Sequence, residues 1–361
     1  MTPSDPRVDV LFSGTGYFTE VMVADLAATA RSDILVAIGG RNPARVKWLV
    51  EACRARAAIY GTAVRFTGVM LDSRSSETLA EALRLHAPKV IIQSASAQSP
   101  WKVDNGESAW ANLVAEAGFG MTIAFHALLA WRTANAIARA GLDAHFVNSC
   151  YPDGVNQVIA AAGLPMTTGV GNIGIFSSVL AARLPFEVRS DVRVLAHHRH
   201  IVEWRKPPAE RAGPPVRAWV GEHEMRDVDA RTDDIQLPYR DLNLISGASA
   251  VPVILALAGE GRRRCHVPGP AGLPGGYPVL VDQTGVALDL PSGVSRDDAI
   301  NWNRQFEEKD GVSIRDGRVV YSARARELIG LQDKSLAQGF DVDAVEAAAA
   351  AMDGLRTRLG G

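Results

Sequence analysis

The chain is short of the features that mark secreted, membrane-spanning or nucleic-acid-binding proteins. Its 361 residues include only three cysteines, Cys53, Cys150 and Cys265, odd in number and far apart, which argues against a disulfide framework and against a CxxC zinc site. No run of about 18 or more uncharged apolar residues is present to span a bilayer. The opening stretch MTPSDPRVDV lacks the basic segment and apolar core of a secretory signal. These absences predict a cytoplasmic protein. Neither sign of charge dominates: the formal net charge is -2, and no long block of Lys or Arg occurs. A nucleic-acid or anionic-membrane surface is therefore not expected, and a small-molecule partner is.

What is present is a normal globular balance, 47% apolar and 22% charged, in a chain long enough for two domains. The first part alternates apolar runs with helical patterns: VDVLFSG, a helix over about 17–31, DILVAIGG, a helix over about 42–59, AVRFTGVML, a helix over about 75–86, then KVIIQSA. A helical region over about 107–140 leads into one more strand, DAHFVNS. Strands that are continuous Val, Ile and Leu between helices predict a parallel sheet covered on both faces.

After about residue 155 the pattern changes. EVRSDVRVLAHHRHIVEW and RAWVGEHEMRD are expected to be antiparallel strands, HVPGPAGLPGGYPVLVD a Gly/Pro-rich loop feeding a strand, and SIRDGRVVYS a hairpin. NWNRQFEEKDG is expected to be a helix surface with Trp302 packed inward. The final DVDAVEAAAAAMDGLRTRL is a helix capped by Asp341 or Asp343. The reading is α/β: a doubly wound parallel Rossmann sheet over 1–155, then a mixed α+β second domain over 156–361 whose last helix can pack back on the first. Homo-oligomerisation is the general expectation for this fold class.

Glycines place the first candidate site. In SGTGYFTE, Gly14 and Gly16 end the first strand and a helix follows at once. The first glycine permits the tight turn, the second lets a pyrophosphate approach, and the helix N-terminus offers free N–H groups. Thr19 stands where a third glycine is usual. At the end of the second strand, AIGGRNPARV has no Asp or Glu to take both ribose hydroxyls; Arg41 is there to pair with a 2′-phosphate, and Asn42 to cap the next helix. NADP(H) is favoured over NAD(H), against the plainer reading of GGRNP as a turn with a solvated Arg. The expected cofactor contacts are Gly14, Thr15, Gly16, Tyr17, Phe18, Arg41 and Asn42, with Ser94 and Ala95 at the end of KVIIQSA.

The segment 8–98, with GTG, GGRNPARV and VIIQSAS, resembles the NADP-binding domain of saccharopine dehydrogenase-like reductases. FVNSCYPDGVNQVIAAAGLPMTTGVGNIGI resembles the lactate/malate dehydrogenase superfamily, which also contains NAD-dependent glycosidases. The second resemblance implies that Asn148 lies near the nicotinamide and that a proton-transferring His follows some tens of residues later, where VLAHHRH supplies His197, His198 and His200. The family's carboxylate-binding Arg and orienting Asp are unmatched in GNIGIFSS, and Ala109 stands where its mobile-loop Arg would be.

On a strand, His198 and His200 would share one face and His197 the other, placing two imidazoles in a cleft for proton transfer. A solvated strand end, or an HxH metal pair without a third ligand, are the competing readings; no metal is expected. His223 in VGEHEM is second choice. In SCYPDG, Cys150, Tyr151 and Asp153 follow a strand end, where Tyr151 or Asp153 could relay a proton, unless the segment is only a turn with a buried thiol. The expected catalytic set is His198, His200, Tyr151 and Asp153. The expected function is NADP(H)-dependent reduction of a C=N or C=O bond in a small amino-acid-derived or carbonyl metabolite. The alternatives are redox-assisted lyase or hydrolase chemistry, and a non-catalytic dinucleotide sensor.

Overall fold

The computed structural model describes residues 7–98, 107–238 and 241–361. Six parallel strands, β1 (Val10–Ser13), β2 (Leu35–Gly40), β3 (Arg65–Met70), β4 (Val90–Gln93), β5 (His145–Asn148) and β6 (Thr168–Gly169), form one sheet in the order β3-β2-β1-β4-β5-β6. The order reverses between β1 and β4, so their carboxyl ends diverge and leave a crevice there. The parallel sheet extends to Gly169.

Continuous apolar sequence in β1, β2 and β4 reflects burial on both faces, whereas the edge strand β3 alternates. In β1, Leu11 joins Ile91 and Phe146 in a core covered by helices Ser76–His86, Ala109–Ala117, Ile123–Ala140 and Pro152–Ala161. Val10 and Phe12 join Val36, Ile38, Val90 and Ile92 in the opposite core, beneath helices Tyr17–Thr29 and Pro43–Tyr60. The expected helix starting near residue 42 is capped as the sequence suggested, Asn42 Oδ1 accepting from Arg45 N at 3.1 Å.

Among the described residues, the second half adds three antiparallel three-stranded sheets. One contains Val192–Leu195, Arg217–Val220 and His223–Glu224; another contains Arg263–Pro268, Gly276–Asp282 and Gly285–Leu288. The third contains the hairpin Val312–Arg315 and Arg318–Tyr321, as expected, turned by Asp316 and Gly317 at positive φ.

Three expectations are corrected. The stretch 197–204 is not a strand: after Val192–Leu195 the backbone turns, His200 N donating to His197 O at 2.9 Å, and Arg199–Trp204 is a short helix. The inward residues 197, 200, 201 and 204 follow helical spacing, and that pattern overrides the β-branched pair Ile201-Val202. Neither Asp341 nor Asp343 caps the last helix. Its N-cap is Ala344 without a side-chain bond, while Asp341 sits in a strand, paired with Arg318. NWNRQFEEKDG is more than a helix surface, because its last acid is buried deep in the molecule.

Helix Asn243–Leu257, from the second half, packs on Tyr17–Thr29 and contributes Val251, Ile254 and Leu255 to the core under Val10 and Phe12. Gly247 makes the crossing possible, since a Cβ there would lie 2.6 Å from Val21 Cγ1. Gly247→Val should therefore cost about 1–3 kcal/mol by overpacking. Thermal unfolding should show this as a fall in Tm of several degrees.

Candidate dinucleotide and proton-transfer site

A cavity of about 980 Å³ opens along the carboxyl ends of β1, β4 and β5, the crevice that the strand order creates. Gly14, Thr15, Gly16, Tyr17, Phe18, Arg41, Ser94 and Ala95 all line it. Gly14 has φ +139°, and a Cβ there would lie 2.5 Å from Ser94 Oγ, so this position requires glycine. Gly16 is the N-cap of Tyr17–Thr29, makes no side-chain cap bond, and faces open space: a Cβ would meet nothing within 4 Å. The first-turn N–H groups beside it have no partner within the helix, which suits an anion.

Thr19 explains the missing third glycine. It is fully buried, its hydroxyl 2.6 Å from Ser94 Oγ, and Ser94 in turn donates to Ser13 O at 3.3 Å. A hydroxyl bridge thus ties the helix to β4 where bare glycine packing would otherwise do so. Gly39 and Gly40 are packed closely, a Cβ on Gly39 falling 2.8 Å from Phe12 O and one on Gly40 2.7 Å from Thr15 Cγ2. Arg41 follows, exposed at the cavity rim, whereas Asn42 is spent on its cap. Asp72, after β3, is held by Arg74 at 2.6 Å and does not line the cavity.

Asn148 is corrected. It is buried and holds the turn after β5, accepting from Cys150 N at 2.9 Å and donating to Asn156 Oδ1 at 2.9 Å, and it does not line the cavity. Cys150 does line it, with Sγ 3.3 Å from Ala95 O, but burial pushes the thiol up to about 12, so it stays protonated.

His198 and Tyr151 line the same cavity, and Asp310, which does not, holds both. His198 Nδ1 lies 3.2 Å from Asp310 Oδ1, and the Tyr151 hydroxyl donates to Asp310 Oδ2 at 2.5 Å. Asp310 is 2% exposed. Three glycines let its backbone in: a Cβ on Gly118 or Gly120 would lie 2.7 Å from Asp310 O, and one on Gly311 2.5 Å from Ala117 O. Asp153 is also buried. Its Oδ1 accepts from His198 N at 3.0 Å and its Oδ2 from Asn172 Nδ2 at 2.5 Å, so it positions the His198 backbone and does not face the cavity.

His200 is corrected as well. It shares no cleft with His198 but packs behind it, Nδ1 accepting from His197 N at 3.0 Å and its ring stacked on Trp302. Burial pushes it down to about 4. His197 stacks on Phe306. His223 is exposed on the small strand His223–Glu224, away from the cavity. Among the described residues, no group of three or more His, Cys, Asp or Glu side chains could hold a metal.

Sequence reasoning missed Asp310, 112 positions from His198, and nothing in the local spacing of EEKDG points to it. It also missed His126, fully buried in the cavity wall and pushed down to about 3 by burial and by His198. Phe119 lies between the two imidazoles, 5.0 Å from His126 and 5.1 Å from His198. Arg199, Arg205 and Lys206 follow His198 into the same wall, and among the described lining residues there is no Asp or Glu. Glu203, behind the wall, bridges Arg199 and Lys206 at 2.9 and 2.8 Å.

The electrostatics separate the two imidazoles. Burial opposes charge on His198, but the Asp310 carboxylate and its hydrogen bond, with Asp153, outweigh this and raise its pKa. Burial likewise opposes charge on Asp310, and His198, His197 and the Tyr151 hydroxyl outweigh it, holding the carboxyl below its ordinary range. With Nδ1 engaged by Asp310, Nε2 is the His198 nitrogen left for proton exchange.

Superposition on solved structures supplies the fold. The minor L-lactate dehydrogenase from Enterococcus mundtii in a ligand-bound form aligns at TM-score 0.50 and 13% identity, over 84% of this chain and 96% of that one. The lactate dehydrogenase from Eimeria maxima with NADH and oxamate gives 0.49 and 12%, over 83% and 94%. The malate dehydrogenase from Cryptosporidium parvum gives 0.48 and 12%, over 83% and 96%. The fold is that of the first of these, a lactate dehydrogenase. No protein-family model and no curated protein matches the sequence.

The buried pair makes stability depend on pH from both sides. Asp310, with its depressed pKa, stabilises above about pH 4, the ordinary carboxylate value, and loses this as pH falls further. His198, with its raised pKa, stabilises fully below about pH 6.5 and loses this as pH rises through its folded value. Asp310→Asn should therefore lower Tm most between about pH 4 and 6.5, and the gap from wild type should narrow above that range in a pH series of thermal melts.

Proposed function

We propose that this protein is an NADP(H)-dependent oxidoreductase that reduces a C=O or C=N bond in a small anionic metabolite. The observation that carries the reading is His198, held on one ring nitrogen by a buried carboxylate and lining the same cavity as the glycine loop. The cavity suits a dinucleotide at the loop end: Gly14 and Gly16 clear the path, the uncapped start of Tyr17–Thr29 would receive the pyrophosphate, and Arg41 would take a 2′-phosphate. When bound, the cofactor supplies the hydride.

The chain's own residues do the rest. His198, whose charge Asp310 supports, gives a proton from Nε2 to the oxygen or nitrogen on which negative charge develops. Asp310 stays ionised and stabilises the imidazolium. His126, kept neutral by burial, does not compete for the proton. Arg199, Arg205 and Lys206, in a wall without acids, favour an anionic group such as a carboxylate on the substrate. An amino-acid-derived keto or imino acid fits these requirements.

Two measurements test the reading. Arg41→Ala should weaken NADPH binding by about 1.5–3 kcal/mol and barely change NADH, as read by isothermal titration. Equal losses for both cofactors would remove the 2′-phosphate assignment. With a keto or imino acid that turns over NADPH, His198→Ala should lower turnover by about 10²- to 10⁴-fold with NADPH affinity nearly unchanged. Unchanged turnover would take His198 out of the chemistry, and NADPH binding without turnover of any acid would favour a dinucleotide sensor.

A further inference from the structure

Tyr151 lines the cavity beside His198, yet its hydroxyl points the other way, into Asp310. A phenol has a single proton to give, and here it is committed to a carboxylate at 2.5 Å. Burial and the neighbouring Asp310 raise the phenol's pKa well above its ordinary value, so the proton stays on oxygen and the group remains a donor. The arrangement is maintained against local cost. Tyr151 has φ 45° and ψ 58°, a left-handed conformation that side chains avoid by about 1–2 kcal/mol. Gly154 leaves room for the ring, since a Cβ there would lie 2.8 Å from Tyr151 Cε1. Edge-on contacts to Phe119 and His198, both at 5.1 Å between centroids, fix the ring plane. Filling the volume alone would ask only for phenylalanine. The hydroxyl is what must be explained, and its partner is the carboxylate that also holds His198.

We propose that Tyr151 is a positioning residue that acts on His198 through the shared Asp310 carboxylate, drawing off part of its charge and so making His198 a readier proton donor, without itself touching substrate. The functional part of this statement rests on the reading of His198 as the proton donor; the coupling itself does not. A carboxylate that accepts two donors divides its charge between them. Removing the phenol donor leaves more of the charge facing the imidazole, which then holds its proton more tightly. Asp153 and the Arg205 guanidinium also act on His198, which is coupled in turn to His197 and His126, and Arg199 shares its wall of the cavity. Changing the Tyr151 hydroxyl alters none of them.

The test is an NMR titration of His198 in the full-length protein, without cofactor or substrate. Tyr151→Phe should raise the His198 pKa by about half a unit to one unit, the scale of losing one hydrogen bond to its counter-ion. In an Asp310→Asn background the same change should leave His198 where Asp310→Asn alone puts it. Should Tyr151→Phe fail to fold, 3-fluorotyrosine at position 151, a stronger donor of nearly the same shape, should lower the His198 pKa. A His198 pKa unmoved or shifted in the opposite sense by either replacement would overturn the proposal. So would an equal shift with and without the Asp310 charge, which would mean that the ring acts on His198 directly. Because the titration involves no turnover, a failed search for substrate would bear on the reductase reading and not on this coupling.

Discussion

A carboxylate buried to within 2% of complete enclosure organises this molecule. Burying a charge is costly unless it is paired and hydrogen-bonded, and Asp310 meets that demand with a phenol on one oxygen and an imidazole on the other. The requirement draws together chain segments that are remote in sequence. The turn after β5 brings Tyr151, the loop before Arg199–Trp204 brings His198, and the 118–120 stretch yields space through glycines so that the Asp310 backbone can reach them. The site at the carboxyl end of the parallel sheet is thus completed by Asp310, from late in the chain.

Around that pair the charges are layered. Groups that face the cavity are neutral or cationic, while the acids Asp153, Asp310 and Glu203 stand one layer behind. Each acid holds a group that does face inward: Asp310 the His198 ring, Asp153 the His198 backbone, Glu203 the Arg199 and Lys206 heads. Such an arrangement attracts anions without offering them a carboxylate to repel, and it fixes long cationic side chains that would otherwise lose entropy on binding. It also keeps one imidazole readily charged and its neighbour across Phe119 neutral, the separation that acid–base chemistry needs.

The parts of this structure that depend on neighbours in sequence were legible. Strands buried on both faces read as unbroken Val, Ile and Leu, the loop glycines follow β1 directly, and Asn42 caps its helix three residues on. Other parts depend on distant contacts and left weaker marks. His197 lies in the turn that leads into a helix and His200 in its first turn, neither on a strand, a difference set by Trp302 and Phe306 against which they pack. Helix Asn243–Leu257 carries Gly247, two serines and Pro252, so its propensity is poor and its stability comes from burial against Tyr17–Thr29. Thr19 looks like a defect in the glycine fingerprint until its bond to Ser94 is seen. Asp310 gave no local signal, because its role is defined by partners more than a hundred residues away.

That same helix, Asn243–Leu257, also sets a condition on how the chain matures. Val90, Ile92 and Val147 share one core with its Val251, Ile254 and Leu255, so part of the sheet surface made early has to wait for a segment made late. At a synthesis rate of about 5–20 residues per second, the interval between the two is on the order of ten seconds. Through that time the nascent sheet exposes Val and Ile to the crowded surroundings of the ribosome, where holding chaperones bind such surfaces. The two halves are accordingly tied by one shared core, which the first half cannot close before the second is made.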